Sequence, residues 1–250
     1  MKPASIKYAL LLLLCANLAV ADSAPPVPDA QTILQHSDHA RGGGMPGIVW
    51  EIRLVSRDGS EYSEEQRLEV RAVDEASVAE TIEPARFRGM KLLQVGRNMW
   101  LTKPGLSKPI PISPRQRMSG EAANGDIAAT NYAADYAATQ TGEETLEGEA
   151  CYVLDLKARH NRTTYDQIRL WVAKGREVSL KAEFYSLSGK PLKSARFEYN
   201  QEILYEGKHI PFVSRMVIRD ALTDSDTDMH YGAVVVRAIA PAEFELGQMQ

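Results

Sequence analysis

The sequence predicts a mainly β protein built on one large, curved antiparallel sheet. Three observations carry that expectation. Apolar residues recur at every second position in segment after segment, which is the period of a half-buried strand. Short turns rich in glycine, asparagine and aspartate separate those segments. Only two stretches break the pattern in a helix-like way, one near the N-terminus and one in the middle of the chain.

The first residues read as an address. Lys2 and Lys7 precede an apolar run dominated by Leu10 to Leu14, and Ala19-Val20-Ala21 supplies a small-x-small site. A basic start, a short apolar stretch and a small-residue site make a secretory signal peptide, with cleavage expected after Ala21. The run is shorter than the roughly 20 residues a membrane span needs. Lipid attachment at Cys15 would want a small residue before it, and Leu14 is large. Cys151 is then the sole cysteine of the mature chain, so the fold must be held by its core and not by disulfides. The expected organisation is a signal peptide over 1–21, a spacer and short helix over 22–47, and a single domain over 48–250.

Prolines keep residues 24–28 extended, Asp29 caps a short helix from Ala30 to Ser37, and Arg41 to Gly44 with Met45-Pro46-Gly47 forms a flexible turn. Alternation then takes over. Trp50, Ile52 and Leu54 alternate with Glu51 and Arg53; Leu68, Val70 and Ala72 alternate with Arg67, Glu69 and Arg71. Further strands are expected at 78–83, 91–95 and 99–102, with a weaker one at 108–112 that Pro109 and Pro111 confine to a sheet edge. After the central insert, 113–131, come 136–144, 150–158, 167–172, 179–186, 193–204, 212–219 and 227–238. About eleven or more strands joined by short turns form a meander. A sheet of that size curls, and its apolar inner face must be covered or become a cavity. The N-terminal helix and the insert are the available covers.

Composition limits function. A net charge of -4 argues against a nucleic-acid binder. The five histidines lack a metal-ligand pattern, and no G-x-S-x-G, P-loop or dinucleotide fingerprint occurs. No catalytic residue, metal or cofactor is expected. The insert concentrates Arg115, Arg117, Asp126 and Asn131, either as a plug whose polar groups satisfy one another or as the rim of a cavity meeting a headgroup. The inward set is expected to be Trp50, Ile52, Leu54, Leu68, Val70, Ile168, Leu170, Val172, Leu180, Phe184, Met216 and Ile218, lining either a cavity or a closed core.

Several motifs together carry a resemblance. Asn98-Met99-Trp100-Leu101-Thr102-Lys103-Pro104 leads to Ile112-Ser113-Pro114-Arg115-Gln116-Arg117. Asn124-Gly125-Asp126-Ile127-Ala128-Ala129-Thr130-Asn131-Tyr132 follows, then Asp135-Tyr136, Gly142-Glu143-Glu144 and Gly148-Glu149-Ala150-Cys151-Tyr152-Val153-Leu154-Asp155-Leu156. From about Val49 onward the chain resembles the LolA-like outer-membrane lipoprotein-sorting proteins. The resemblance implies an incompletely closed antiparallel β-barrel whose short helices lid a hydrophobic cavity. It also implies a monomeric periplasmic carrier of a lipoprotein or free lipid, with an inner-membrane exporter as donor and an outer-membrane acceptor. Carriage needs no nucleophile and no metal. The alternatives are a non-catalytic envelope interaction protein with a solid core, and a secreted lipid or glycan hydrolase.

Overall fold

The computed structural model describes residues 28–128 and 131–249. The expected signal peptide therefore lies outside the described residues, as does most of the proline spacer. Helix α1 (Ala30–His39) begins where expected, because the Asp29 carboxylate accepts the N–H groups of Gln31 at 2.9 Å and Thr32 at 3.1 Å. It runs two residues past the expected end and buries Ile33 and Leu34.

The body is one curved antiparallel sheet that does not close. Its first half contains β1 (Ile48–Asp58), β2 (Glu61–Tyr62), β3 (Gln66–Val73), β4 (Ala76–Glu83), β5 (Lys91–Val95), β6 (Asn98–Thr102) and β7 (Ile110–Ile112). The insert then forms a small hairpin, β8 (Arg117–Ser119) and β9 (Ala122–Ala123), and two short helices, α2 (Asn124–Ala128) and α3 (Tyr132–Asp135). The second half contains β10 (Tyr136–Leu146), β11 (Glu149–Ala158), β12 (Gln167–Ala173), β13 (Ser179–Tyr185) and β14 (Pro191–Glu198). A separate hairpin, β15 (Gln201–Tyr205) and β16 (Lys208–Phe212), precedes β17 (Arg215–Asp220), β18 (Ser225–Tyr231) and β19 (Val235–Val236). Spatial order runs β10-β11-β12-β13-β14-β17-β18-β1-β3-β4-β5-β6-β7, with β2 and β19 also pairing with β1. The halves join where the late strand β18 pairs with β1, Ile52 opposite Tyr231 and Leu54 opposite Met229.

Alternation sends one side chain in two to the inner face. Trp50, Ile52 and Leu54 share a cluster with Leu68 and Val70 of β3, Ile168, Leu170 and Val172 of β12, Phe184 of β13, and Met216 and Ile218 of β17. Leu180 departs from this set. Along the β12–β13 pair, Trp171 faces Lys181 but Val172 faces Ser179, so Leu180 is the extra residue of a β-bulge. A one-residue slip turns a side chain to the other face, and Leu180 packs outside with Cys151, Val153 and Trp171.

Two expected strands are each broken in two. The stretch expected at 193–204 divides after Glu198, and its second part leaves the sheet to pair with β16. The stretch expected at 227–238 divides around Gly232, whose N–H bonds Glu51 O at 2.8 Å. Beyond it the C-terminal segment makes two 3-10 turns and lays Ile239, Phe244 and Met249 over Val78 and Leu93 on the outer face.

The sheet edges are β7 and β10. In β7 the central residue is Pro111, which has no N–H to offer. At the start of β10, the Gln31 side chain donates to Tyr136 O at 3.3 Å and accepts the Ala138 N–H at 3.1 Å. Further along, a bulge between Gln140 and Gly142 breaks the register.

Candidate functional site

The inner face and its cover are the feature most suited to function. The cover has three parts. Helix α1 contributes Ile33 and Leu34, α2 contributes Ile127 and Ala128, and the start of α3 contributes Tyr132; all five join the cluster of the inner face. Ile33, Leu34 and Ile127 each stabilise the closed arrangement by roughly 1.5–3 kcal/mol when fully buried. The cover is held by burial and by polar pins at defined points.

The first pin joins α1 to α3. Asp38, 3% exposed, accepts the Ala133 N–H at 2.8 Å. Burial pushes its carboxyl up to about 7, against the opposing pull of that N–H and of nearby Arg41. Arg41 is 7% exposed, and its guanidinium lies 4.4 Å from the centre of the Tyr132 ring. The segment read as a flexible turn is therefore ordered. The N–H groups of Arg41 and Gly43 both reach Asp38 O, at 2.9 and 3.0 Å. Gly42 has φ +100°, and a Cβ there would lie 2.0 Å from Ile48 Cδ1, so the close approach of this turn to β1 requires glycine.

The second pin is Asp126, also buried. It accepts the Ala123 N–H at 2.9 Å and the Tyr165 hydroxyl at 2.8 Å. Burial raises its carboxyl, and the charge of Lys193 opposes the rise. The Tyr165 ring stacks on Phe184, 4.0 Å between centres, so the pin ends in the apolar inner face. Gly125 leaves room there, since a Cβ would lie 1.8 Å from Thr164 Oγ1.

The third pin holds the β8–β9 hairpin. Glu121 donates its N–H to Thr227 Oγ1 at 2.7 Å, and its carboxylate meets Arg117 at 3.0 Å and Ser225 Oγ at 3.0 Å. Lys193 Nζ donates to Glu121 O. Gly120, at φ +50°, packs against Ser56 and Thr227.

The four expected rim residues are thereby placed, and they do not converge on one point. Arg115 forms a two-pronged pair with Asp166, at 3.0 and 2.6 Å, and donates through Nε to Thr163 O at 3.0 Å. The Arg115 guanidinium holds the Asp166 carboxyl below its ordinary range. Arg117 lies between Glu121 and Asp220, Asp126 serves the second pin, and Asn131 caps α3 by accepting the Ala134 N–H at 3.0 Å. Each of these side chains has a partner of its own, Arg115 in the 159–166 turn and Arg117 in the β8–β9 hairpin and β17. Sequence reasoning missed Asp38, Arg41, Glu121 and Lys193, which do comparable work. Arg41 stands just before three glycines, a context that reads as loop.

Other polar groups form pairs. His160 Nε2 lies 2.8 Å from Asp135, and His230 lies 3.2 Å from Asp228. Among the described residues no group of three or more His, Cys, Asp or Glu side chains is arranged to hold a metal ion. No helix among them is long and apolar enough to cross a membrane.

A family model described only as that of an uncharacterized protein matches residues 73–250. No curated protein matches the chain. Among solved structures, a LolA superfamily protein from Nitrosomonas europaea is 31% identical and superposes with a TM-score of 0.78, over 88% of this chain and 98% of that one. A domain from Vibrio parahaemolyticus, named for outer membrane lipoprotein sorting, is 21% identical with a TM-score of 0.74, over 88% and 97% of the two chains. A DUF1329 family protein from Desulfovibrio piger is 19% identical with a TM-score of 0.74, over 90% and 100%. The last two are similar in fold.

Proposed function

We propose that this chain, which belongs to the LolA superfamily, is a periplasmic carrier that shelters the acyl chains of a lipoprotein or lipid between its curved sheet and its helical cover. The observation that carries the reading is the composition of that interface. An apolar inner face is covered by three short helices held at discrete polar pins, and not by a second continuous layer. Such a cover can part from the sheet without unfolding it. The separated faces would present apolar walls such as Ile52, Leu54, Leu170 and Phe184 to a guest.

The energetics suit reversible carriage. Burying acyl chain is worth about 0.8 kcal/mol per methylene. Roughly ten methylenes give ~8 kcal/mol, near micromolar affinity before the costs of opening and ordering. That strength allows uptake from one membrane and release to another. The expected domain layout, the cleaved leader, the monomeric state, and the donor and acceptor proteins belong to this same reading. No bond-making step is assigned to the protein.

The test is to purify the mature protein from its native compartment and extract it with organic solvent for lipid mass spectrometry. A stoichiometric acyl lipid or lipopeptide supports the carrier and identifies the cargo class. A blank extract, repeated after incubation with labelled lipids, refutes it in favour of an envelope interaction protein with a solid core.

A further inference from the structure

The arginines first expected at the rim are paired, but two others on the same side of the molecule are not committed to carboxylates in this way. Arg97 sits in the β5–β6 turn and Arg162 in the 159–166 turn, both exposed. The closest carboxylate to Arg97 is Asp135, 3.9 Å away, which already meets His160 at 2.8 Å. Arg162 donates to an amide oxygen, Asn98 Oδ1, at 2.8 Å. That bond carries the 159–166 turn across to the edge region of the sheet and fixes the guanidinium on the wall of a cleft.

The cleft holds about 450 Å³ and lies along β6 and β7. Arg97, Arg162, Asn98 and Asn161 stand on its polar side, and Trp100 and Ile112 line its apolar side. No carboxylate lines it among the described residues. An adjoining cleft, which Arg97, Asn98 and Arg162 also line, carries Asp74, Glu75 and Asp135, so an anion is favoured on the Trp100 side, where no carboxylate opposes it. Many other arginines are held by carboxylates. Arg57, Arg169, Arg176 and Arg215 each lie within 3.0 Å of one.

We infer that Arg97 and Arg162 form a binding site for a phosphate group, with Asn98 and Asn161 donating beside it and the Trp100 side receiving the apolar part of the same ligand. Guanidinium groups suit this task because their forked N–H groups match phosphate oxygens. The inference rests on the carrier reading in one respect, that the phosphate belongs to a lipid headgroup. A free phosphate ester presents the same chemistry, and the experiment separates the two.

The full mature chain and its Arg97→Gln/Arg162→Gln variant are titrated calorimetrically with short-chain phosphatidic acid, the matching diacylglycerol and glycerol 3-phosphate. Both arginines are on the surface and the bond the variant loses, Arg162 to Asn98, is itself exposed, so the thermal midpoint of the variant should lie close to that of the wild type. The wild type should bind phosphatidic acid on the order of tenfold more tightly than diacylglycerol, the worth of a charge-assisted hydrogen bond, and the variant should lose that preference. Failure of glycerol 3-phosphate to bind assigns the site to a lipid headgroup. Its binding to the wild type and not to the variant assigns the site to phosphate esters generally. If the variant keeps the preference, or the wild type has none, the phosphate site is wrong while carriage of acyl chains stands. If only glycerol 3-phosphate binds, the carrier reading fails and the phosphate site stands. If nothing binds, both fall.

Discussion

Replacing Asp38 with asparagine isolates the electrostatics of the α1–α3 pin. The carboxyl ordinarily titrates near 3.8, and burial moves it to about 7 in the folded protein. Between those values the folded chain holds a proton that the unfolded chain has released. Stability from this group is therefore fully present below about pH 3.8 and is lost as pH rises through about 7. Each tenfold change in proton affinity is worth about 1.4 kcal/mol, so the full loss has a ceiling of ~4 kcal/mol. Asparagine keeps an oxygen to accept the Ala133 N–H and cannot ionise. Urea unfolding of both proteins at pH 4.5, 6 and 8 measures the effect. The stability of Asp38→Asn relative to wild type should rise with pH by ~2–4 kcal/mol. Other titrating groups are common to both proteins and cancel in the difference. A difference that stays flat across the range, or that shrinks as pH rises, refutes the account of a buried carboxyl held against its own charge.

Further outcomes test other parts of the structure. Asp29→Ala removes the α1 cap and should cost about 1 kcal/mol by chemical denaturation, with the inner face otherwise unchanged. Gly42→Ala places a methyl against Ile48 at a positive φ and should cost more than about 1 kcal/mol; adding Ile48→Ala should relieve the clash without removing the backbone strain. Phe184→Ala opens the inner face beside Tyr165 and should lower stability by about 3–5 kcal/mol. Under the carrier reading a bound fatty acid should restore part of that loss, seen as a ligand-dependent rise in melting temperature. Asp166→Ala frees Arg115 from an exposed pair and should cost no more than about 1 kcal/mol.

What was legible in the sequence and what was not divide along a physical line. Alternation revealed the inner face of β1, β3 and β17, because a sheet with one wet face writes its burial into every second residue, and Ile168, Leu170 and Val172 of β12 keep the same period although Trp171 and Ala173 are buried on the other face. The Asp29 cap was legible because its bonds are local. Leu180 was placed on the wrong face because a bulge depends on the partner strand, and nothing in Ser179-Leu180-Lys181 announces it. The departure of β15 from the sheet is likewise a matter of long-range pairing. The C-terminal segment has no period, yet Phe244 and Met249 are buried, since they cover a face that the sheet had already built. At the cover, Arg115, Arg117, Asp126 and Asn131 were legible as an unusual cluster, but their partners Asp166, Asp220 and Tyr165 lie far away in the chain. Arg41 and Asp38 were not legible as a pin, because burial of a charged residue after a short helix is decided by what folds over it.

The two sheet edges bear on how such a protein behaves at high concentration. A sheet that stays open normally offers rows of unpaired amides on which a second chain can add, and repeated addition makes fibres. Here Pro111 interrupts one row with a residue that cannot donate. On the other edge the Gln31 side chain occupies the first positions of β10, and the displaced register after Gln140 bends the rest away from a straight template. The chain thus leaves its sheet unclosed while giving a neighbouring molecule little to extend, so that openness does not become a route to polymerisation.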